Sequence, residues 1–226
     1  MNICWTVLTD GRKKYIKECL PAWVDWLDEL IVDKFIIDDS GDKEYREWLS
    51  KTFPSFTIVP VGSERMGYNH AMSKIFDVVK SSEKEYCLHI EDDFILKRKF
   101  DIESSVNILK ENNSLSQISF IREPWYHNEI AAGGLIEAIE KDNKGINFIQ
   151  KETGGIPWIE HTAYWTCNPN IFPSWLTKFD WPSGEWSESR FGRKIFSKGK
   201  TAGIFGLRKD APYVEHIGRE RYGTKY

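Results

Sequence analysis

The chain has 226 residues, with 31 Lys+Arg against 34 Asp+Glu and a net charge of −3. That length suits one large domain that buries its own core without disulfides or a structural metal. A composition of 41% hydrophobic and 29% charged residues excludes a disordered chain.

No apolar run approaches the roughly 18 residues that a membrane span needs. Met1 to Leu8 lacks the basic region and cleavage site of a signal peptide. Cys4, Cys19, Cys87 and Cys167 are scattered, with no C-x-x-C pair, which argues against zinc and disulfide frameworks. The expected compartment is the cytoplasm, without integral membrane contact.

In chain order, the first half alternates strand and helix signals. Ile3–Leu8 predicts a strand closed by the turn Thr9-Asp10-Gly11-Arg12. Residues 13–30 predict a helix, with Ile16, Leu20, Trp23, Leu27 and Leu30 on one stripe. Pro21 predicts a kink or break within it. Phe35–Ile37 reads as a buried strand ending in Asp38-Asp39-Ser40-Gly41-Asp42, and Lys43–Lys51 as a helix. Phe56–Val61 predicts a strand, Gly67–Val79 a helix, and Tyr86–Ile90 a strand ending in Glu91-Asp92-Asp93. Such alternation implies right-handed crossovers and a parallel sheet, whose ligands bind at the carboxyl ends of the strands. Asp10, Asp38, Asp39, Glu91, Asp92 and Asp93 should therefore gather along one sheet edge.

The second half is less regular. Ile102–Lys110 predicts a helix, Gln117–Ile121 a strand, and Pro124–Gly134 a long loop. Ile146–Gln150 and His161–Thr166 predict strands; Pro169–Phe179 and Glu188–Ser197 predict helices. Thr201–Leu207 and Tyr213–His216 close the chain as short strands. The reading is one domain over 1–226, with a ligand-binding half at 1–100 and a second half at 101–226.

Three carboxylates at one strand end repel each other unless a cation offsets them. Mg²⁺ and Mn²⁺ suit such oxygen ligands and commonly complete their shells with substrate phosphates. A solvated acidic turn would carry the same residues. The second acidic cluster, Asp38-Asp39, follows a neighbouring strand, and together the two fit a nucleotide with a metal-bound diphosphate.

The order Thr9-Asp10-Gly11-Arg12, Ile37-Asp38-Asp39-Ser40, Gly67-x-x-x-Ala71 and Ile90-Glu91-Asp92-Asp93 resembles the GT-A fold glycosyltransferases, in particular the family 2-like inverting enzymes. The resemblance covers about the first 100 residues. It implies an α/β fold with a mostly parallel, Rossmann-type central sheet flanked by helices, and a mixed acceptor-side half. It implies that Glu91-Asp92-Asp93 is a variant of the D-x-D motif, with Asp93 the main ligand of Mn²⁺ or Mg²⁺ supported by Glu91. It implies a nucleotide-sugar donor, a UDP-sugar first among them, held by Thr9, Asp10, Arg12, Asp38, Asp39, Arg65, Gly67 and Asp92. Ser187-Glu188 resembles the acidic pair that opens a helix on the acceptor side, although the usual Glu-Asp has become Ser-Glu. Glu188 is the expected base and Glu185 the alternative. His216, in Tyr213–Gly218, resembles the C-terminal His that reaches metal or diphosphate, and Arg219 and Arg221 beyond it are expected to face the diphosphate.

The acceptor stays open. Trp158, His161 and Trp186 are its expected contacts, in a segment rich in Trp and Tyr. From Arg190 to Tyr226 there are ten Lys+Arg against three Asp+Glu, a net of +7, so the rest carries −10. A basic, ring-bearing segment also suits nucleic acid, which keeps a hydroxymethylated DNA base as an acceptor option. A nucleotidyltransferase would place a Gly-rich basic loop after the first strand, where this chain has a single Gly. A non-catalytic nucleotide- or sugar-binding domain remains the third reading.

Overall fold

The computed structural model describes residues 1–218. Side-chain alternation decides its layering. In β1 (Ile3–Thr9), Ile3, Trp5 and Val7 join one apolar cluster while Cys4 and Leu8 join another. This is the pattern of a strand covered on both faces. Helices α1 (Lys13–Leu27), α2 (Lys43–Thr52) and α4 (Ile102–Glu111) pack into the first cluster. Helices α3 (Tyr68–Ser81) and α7 (Ser187–Phe196) pack into the second.

The remaining strands are β2 (Lys34–Asp38), β3 (Thr57–Pro60), β4 (Tyr86–Glu91), β5 (Phe94–Leu96), β6 (Leu115–Ser119), β7 (Ile149–Thr153), β8 (Ile156–His161), β9 (Asn170–Pro173), β10 (Thr201–Phe205) and β11 (Val214–His216). Together with β1, eight of them form one sheet in the order β3-β2-β1-β4-β9-β6-β10-β8-β7. Only β9 and β8 run against the other strands of this sheet. The mostly parallel, helix-flanked α/β sheet is the fold expected from the sequence.

Several elements differ from the sequence expectations. Pro21 lies inside α1 without ending it. Its ring is exposed, while Ile16, Leu20, Trp23 and Leu27 are buried on the opposite stripe. Trp23 Nε1 also donates to the Phe94 carbonyl at 2.9 Å. This packing outweighs the one backbone bond a proline removes. The expected loop 124–134 holds α5 (His127–Ala132), followed by α6 (Leu135–Asp142). Helix α5 is too short to show a periodicity, and Glu129 caps it by accepting from Trp125 N and Tyr126 N. The strand expected at 161–166 lies earlier, as β8, in a hairpin with β7 across Gly154-Gly155, both at positive φ. Paired left-handed residues of this kind make the two-residue turn that matches strand twist. The helix expected at 169–179 is instead β9, wedged antiparallel between β4 and β6, followed by a 3-10 turn at Ser174–Lys178.

Most of the aromatic excess is core. Phe76, Trp165, Phe172, Trp181 and Phe191 pack on one another in the second cluster, several of them edge to face. Among the described residues, no helix is long and apolar enough to cross a membrane.

Candidate active site at the carboxyl ends of the parallel strands

Strands β1, β2 and β4 end side by side, with Thr9 paired to Asp38 and Leu8 to Glu91. Their three following turns therefore converge. Arg12, at the start of α1, lies across them. Its guanidinium donates to Asp10 (2.8 Å), Asp92 (2.5 Å) and Asp93 (2.8 Å). Burial works against the Arg12 charge, but the three carboxylates outweigh it and hold the group firmly protonated.

The three acidic residues of the turn differ in environment. Asp92 has no exposed side-chain surface, and its other oxygen accepts from Thr9 Oγ1 at 2.7 Å. Burial pushes its carboxyl up to about 8 against the pull of Arg12. Asp93 is equally enclosed, yet the His216 contact and Arg12 draw it below the usual carboxylate range in spite of burial. Glu91, partly exposed, is raised by burial and by the charges of Asp93 and Glu188. Glu91 thus lies in the field of both the expected metal ligand and the expected base.

His216 arrives through a pairing invisible in local sequence. Strand β11 pairs antiparallel with β5, setting His216 opposite Phe94, and Ile217 N donates to the Asp93 carbonyl at 2.9 Å. The imidazole lies between Phe94 and Trp125, with centroids at 4.6 and 4.2 Å. Its Nε2 is 3.4 Å from Asp93 Oδ2. A Cβ at Gly218 would run into the Asp93 carboxylate, so the chain can pass there only as glycine.

The donor-side residues split into two groups. Asp10 and Arg65 are partly exposed and joined to each other, Arg65 donating to the Asp10 carbonyl. Asp39 accepts from Met66 N (2.9 Å) and Gly67 N (2.8 Å), clamping the loop that starts α3. Gly67 sits there at φ 90°, where a side chain would be strained. Asp38 corrects an expectation. It is fully buried and engaged by Ser40 N, Ser40 Oγ and Arg46, so it braces the turn and presents no edge to a ligand. Thr9 is likewise buried, between Asp92 and the Tyr45 hydroxyl, and supports Asp92 from beneath.

Glu188 opens α7. Trp186 precedes it in the left-handed conformation, φ 58°, and is 77% exposed. Glu188 Oε1 accepts from Cys167 N at 3.1 Å, and burial raises its carboxyl above the ordinary value. Gly192, one turn further, lets α7 close on Trp165: an added Cβ would meet Trp165 Cβ at 2.9 Å. Asn69 Nδ2 donates to the Gly184 carbonyl (3.1 Å), tying the loop before α7 to the start of α3. Glu185 is exposed at the tip of this loop.

Two acceptor-side expectations are corrected. Trp158 is 2% exposed, part of the core, with Nε1 spent on Thr153. His161 is also 2% exposed, packed between Phe148 and Tyr164. What the sequence missed is a cavity of about 500 Å³ beyond the end of β6, lined among others by Ser119, Arg122, Glu137, Tyr164, Thr166 and Arg208. Thr166, which bonds Glu188, forms part of its wall. Arg219 and Arg221 lie outside the described residues. Among the described residues, the cations of the basic C-terminal segment do not gather at this site. Lys200 reaches the Asn113 carbonyl beside the start of β6, at the sheet edge opposite the acidic turns.

Asp93 and His216 are the groups here that could hold part of a divalent cation's shell. Asp93 Oδ1 is buried without a hydrogen-bond partner, with His216 beside the other oxygen. Among the described residues no three acidic, His or Cys groups are placed so that they could hold a metal ion.

No family model matches the chain, and no curated protein matches it. Solved structures do. Residues 1–349 of Staphylococcus aureus TarS align over 96% of this chain and 60% of that one, at 16% identity and TM-score 0.60. The same TarS segment in complex with UDP-GlcNAc aligns over 98% and 60%, at 16% identity and TM-score 0.63. The fold is shared with TarS. This chain spans about 60% of the length of those TarS structures.

Proposed function

We propose that this chain is an inverting glycosyltransferase that moves a sugar from a nucleotide-diphosphate sugar to an acceptor hydroxyl. The observation that carries the reading is that Glu188 and the Arg12–Asp93–His216 cluster both lie near enough to Glu91 for the charges of Glu188 and Asp93 to act on it. A candidate diphosphate side and a candidate base are thus both close to Glu91, as direct displacement would need. A TarS structure that shares the fold holds UDP-GlcNAc, which supports a UDP-sugar donor.

In this reading Asp10, Arg65 and the Gly67 loop that Asp39 holds receive the nucleoside. His216 faces the diphosphate, with Asp93 and His216 the ligands of Mg²⁺ or Mn²⁺ and Arg12 holding Asp93 in place. The bound ion would offset charge on the leaving diphosphate. The acceptor oxygen attacks the anomeric carbon, the bond from that carbon to the diphosphate oxygen breaks, and the hydroxyl proton passes to Glu188. A raised carboxyl suits that task, since a base with a higher proton affinity is the stronger acceptor. Glu185 is the alternative base.

The test is direct. With UDP-GlcNAc and Mg²⁺ or Mn²⁺, release of UDP is measured for the wild type and for Glu188→Gln. Binding of the donor is measured by calorimetry. The variant should lose at least about 10²-fold in turnover while its donor affinity stays within twofold. Donor binding without turnover in the wild type would instead mark a binding domain. No binding by any nucleotide sugar would end the proposal.

A further inference from the structure

The cavity beside Glu188 carries arginines, which at first sight suit a phosphorylated or nucleic-acid acceptor. Their charge is already committed. Arg122, 8% exposed, makes a two-pronged pair with Glu129, both contacts at 2.7 Å. Glu129 is 4% exposed and also holds two backbone amides, so the pair is fixed on both sides. Arg208 is bound by Glu137 at 3.1 Å and by Glu140. Asp210 faces Arg98 at 3.9 Å. The lining itself carries Arg122, Arg208 and Lys209 against Glu137 and Asp210, and Glu129 and Glu140, which pair with the two arginines, add two more carboxylates. An entering phosphate would have to displace a carboxylate that already matches the guanidinium fork.

The rest of the wall is apolar or neutral. Ile121, Ile136 and Ile204 form apolar surface, and Ser119, Thr166 and Asn168 bring uncharged polar groups. The partly exposed Tyr164 ring lies among them. Such a wall matches a ligand with apolar C–H faces and hydroxyl edges. The volume is that of pockets that enclose small organic ligands.

We infer that the cavity is an acceptor site for an uncharged, hydroxyl-rich ligand, a saccharide, and that Arg122 and Arg208 are scaffold cations paired to carboxylates. This rests on the transferase reading only for the word acceptor. The charge balance of the cavity stands by itself.

The experiment follows isoleucine methyl resonances of the full chain. Ile121, Ile136 and Ile204 report on the cavity, and Ile37 and Ile90, next to the acidic turns, report on the donor edge. Maltotriose, chitotriose, glucose 6-phosphate and a 20-base-pair hydroxymethylcytosine DNA are titrated at 50 and 250 mM NaCl. The expected result is that a neutral trisaccharide moves the cavity methyls, with an apparent Kd that changes less than twofold between the two salt levels. The inference is overturned if glucose 6-phosphate or DNA moves them at tenfold lower concentration, or if neither trisaccharide moves them at 50 mM. Binding of DNA would also weaken steeply with salt. A second arm frees the cation: Glu137→Gln with Glu140→Gln should tighten glucose 6-phosphate at least fivefold and make it salt-dependent. No such gain would show that those carboxylates do not mask Arg208. A titration with UDP-GlcNAc and Mg²⁺ is run in parallel. If Ile37 and Ile90 stay still there, the donor reading fails while the cavity result is judged by its own methyls.

Discussion

Replacing Arg12 by methionine tests the central cluster most sharply. The guanidinium is 12% exposed and spans Asp92 and Asp93, whose side chains are 0% and 4% exposed. Methionine keeps much of the apolar stem and removes the charge, leaving two enclosed carboxylates beside a third. Removing one partner of a buried ion pair costs about 3–5 kcal/mol, because the remaining charge is stranded. That is a large part of the roughly 5–15 kcal/mol that holds a domain folded. With a urea slope of about 2–3 kcal/mol per molar, the unfolding midpoint should drop by about 1.5 M. Magnesium should then matter more to the variant than to the wild type, since Asp93 no longer has Arg12 as its cation. For an ion bound at about 1 mM, 10 mM Mg²⁺ would return about 1.4 kcal/mol. The assay is urea denaturation followed by tryptophan fluorescence, with and without 10 mM MgCl₂. A variant that unfolds within about 0.3 M of the wild type, or gains no more from Mg²⁺ than the wild type does, would refute the assignment of Arg12 as the cluster's resident counter-charge.

Three further outcomes follow from buried groups and close packing. Because burial raises Glu188 and the base must be ionised, kcat/KM should fall on the acid side through an apparent pKa above the usual carboxylate range; a profile flat down to pH 4 would remove Glu188 as the base. His89 and His161 are each lowered to about 3 by burial. The unfolded chain takes up their protons below about 6.5, so stability is complete above that pH and declines below it, by about 2 kcal/mol per histidine at pH 5. Urea midpoints at pH 7.5 and 5 measure this, and His161→Phe should remove about half of the difference that the two histidines cause. Gly192→Ala should push α7 off Trp165 and displace Glu188, lowering turnover by about tenfold while donor affinity, measured by calorimetry, changes less than twofold.

Much of the first hundred residues was legible. Strands β1, β2 and β4 are short apolar runs bounded by turn residues, and each ends in the polar cluster that the sequence marks. Strand order then brings the clusters together, because successive βαβ units in one sheet leave all carboxyl ends on one edge. The individual roles inside the clusters were not legible. Asp38 and Asp39 are adjacent and chemically identical, yet alternation buries Asp38 on Ser40 and Arg46 and turns Asp39 to the Gly67 loop. Arg12 could be counted as a base near acids, but its three-way contact exists only once β1 and β4 are paired.

The second half shows the limit of local periodicity. Segment 170–173 is apolar enough for either helix or strand, and the gap between β4 and β6 selects a strand by satisfying backbone groups on both sides. The Gly154-Gly155 turn was a readable signal that the sequence reading passed over. The Arg122–Glu129 clamp, seven residues apart, carried no sequence mark. Charge was the most misleading total. The +7 of the C-terminal segment kept nucleic acid open as an acceptor, whereas, among the described residues, Lys200 lies at the far edge of the sheet and Arg208 is neutralised by α6.

By itself, the sequence determined which residues are apolar, at what period, and where acids follow strands. That set the mostly parallel α/β sheet and the edge where chemistry is expected. Tertiary structure alone decided that β11 carries His216 to Asp93, that Arg12 bridges three carboxylates, and that the cavity beside Glu188 is charge-balanced. Those features depend on pairings between residues up to more than a hundred positions apart. Periodicity reports only a residue's near neighbours, while contact and charge pairing are set by the packed chain.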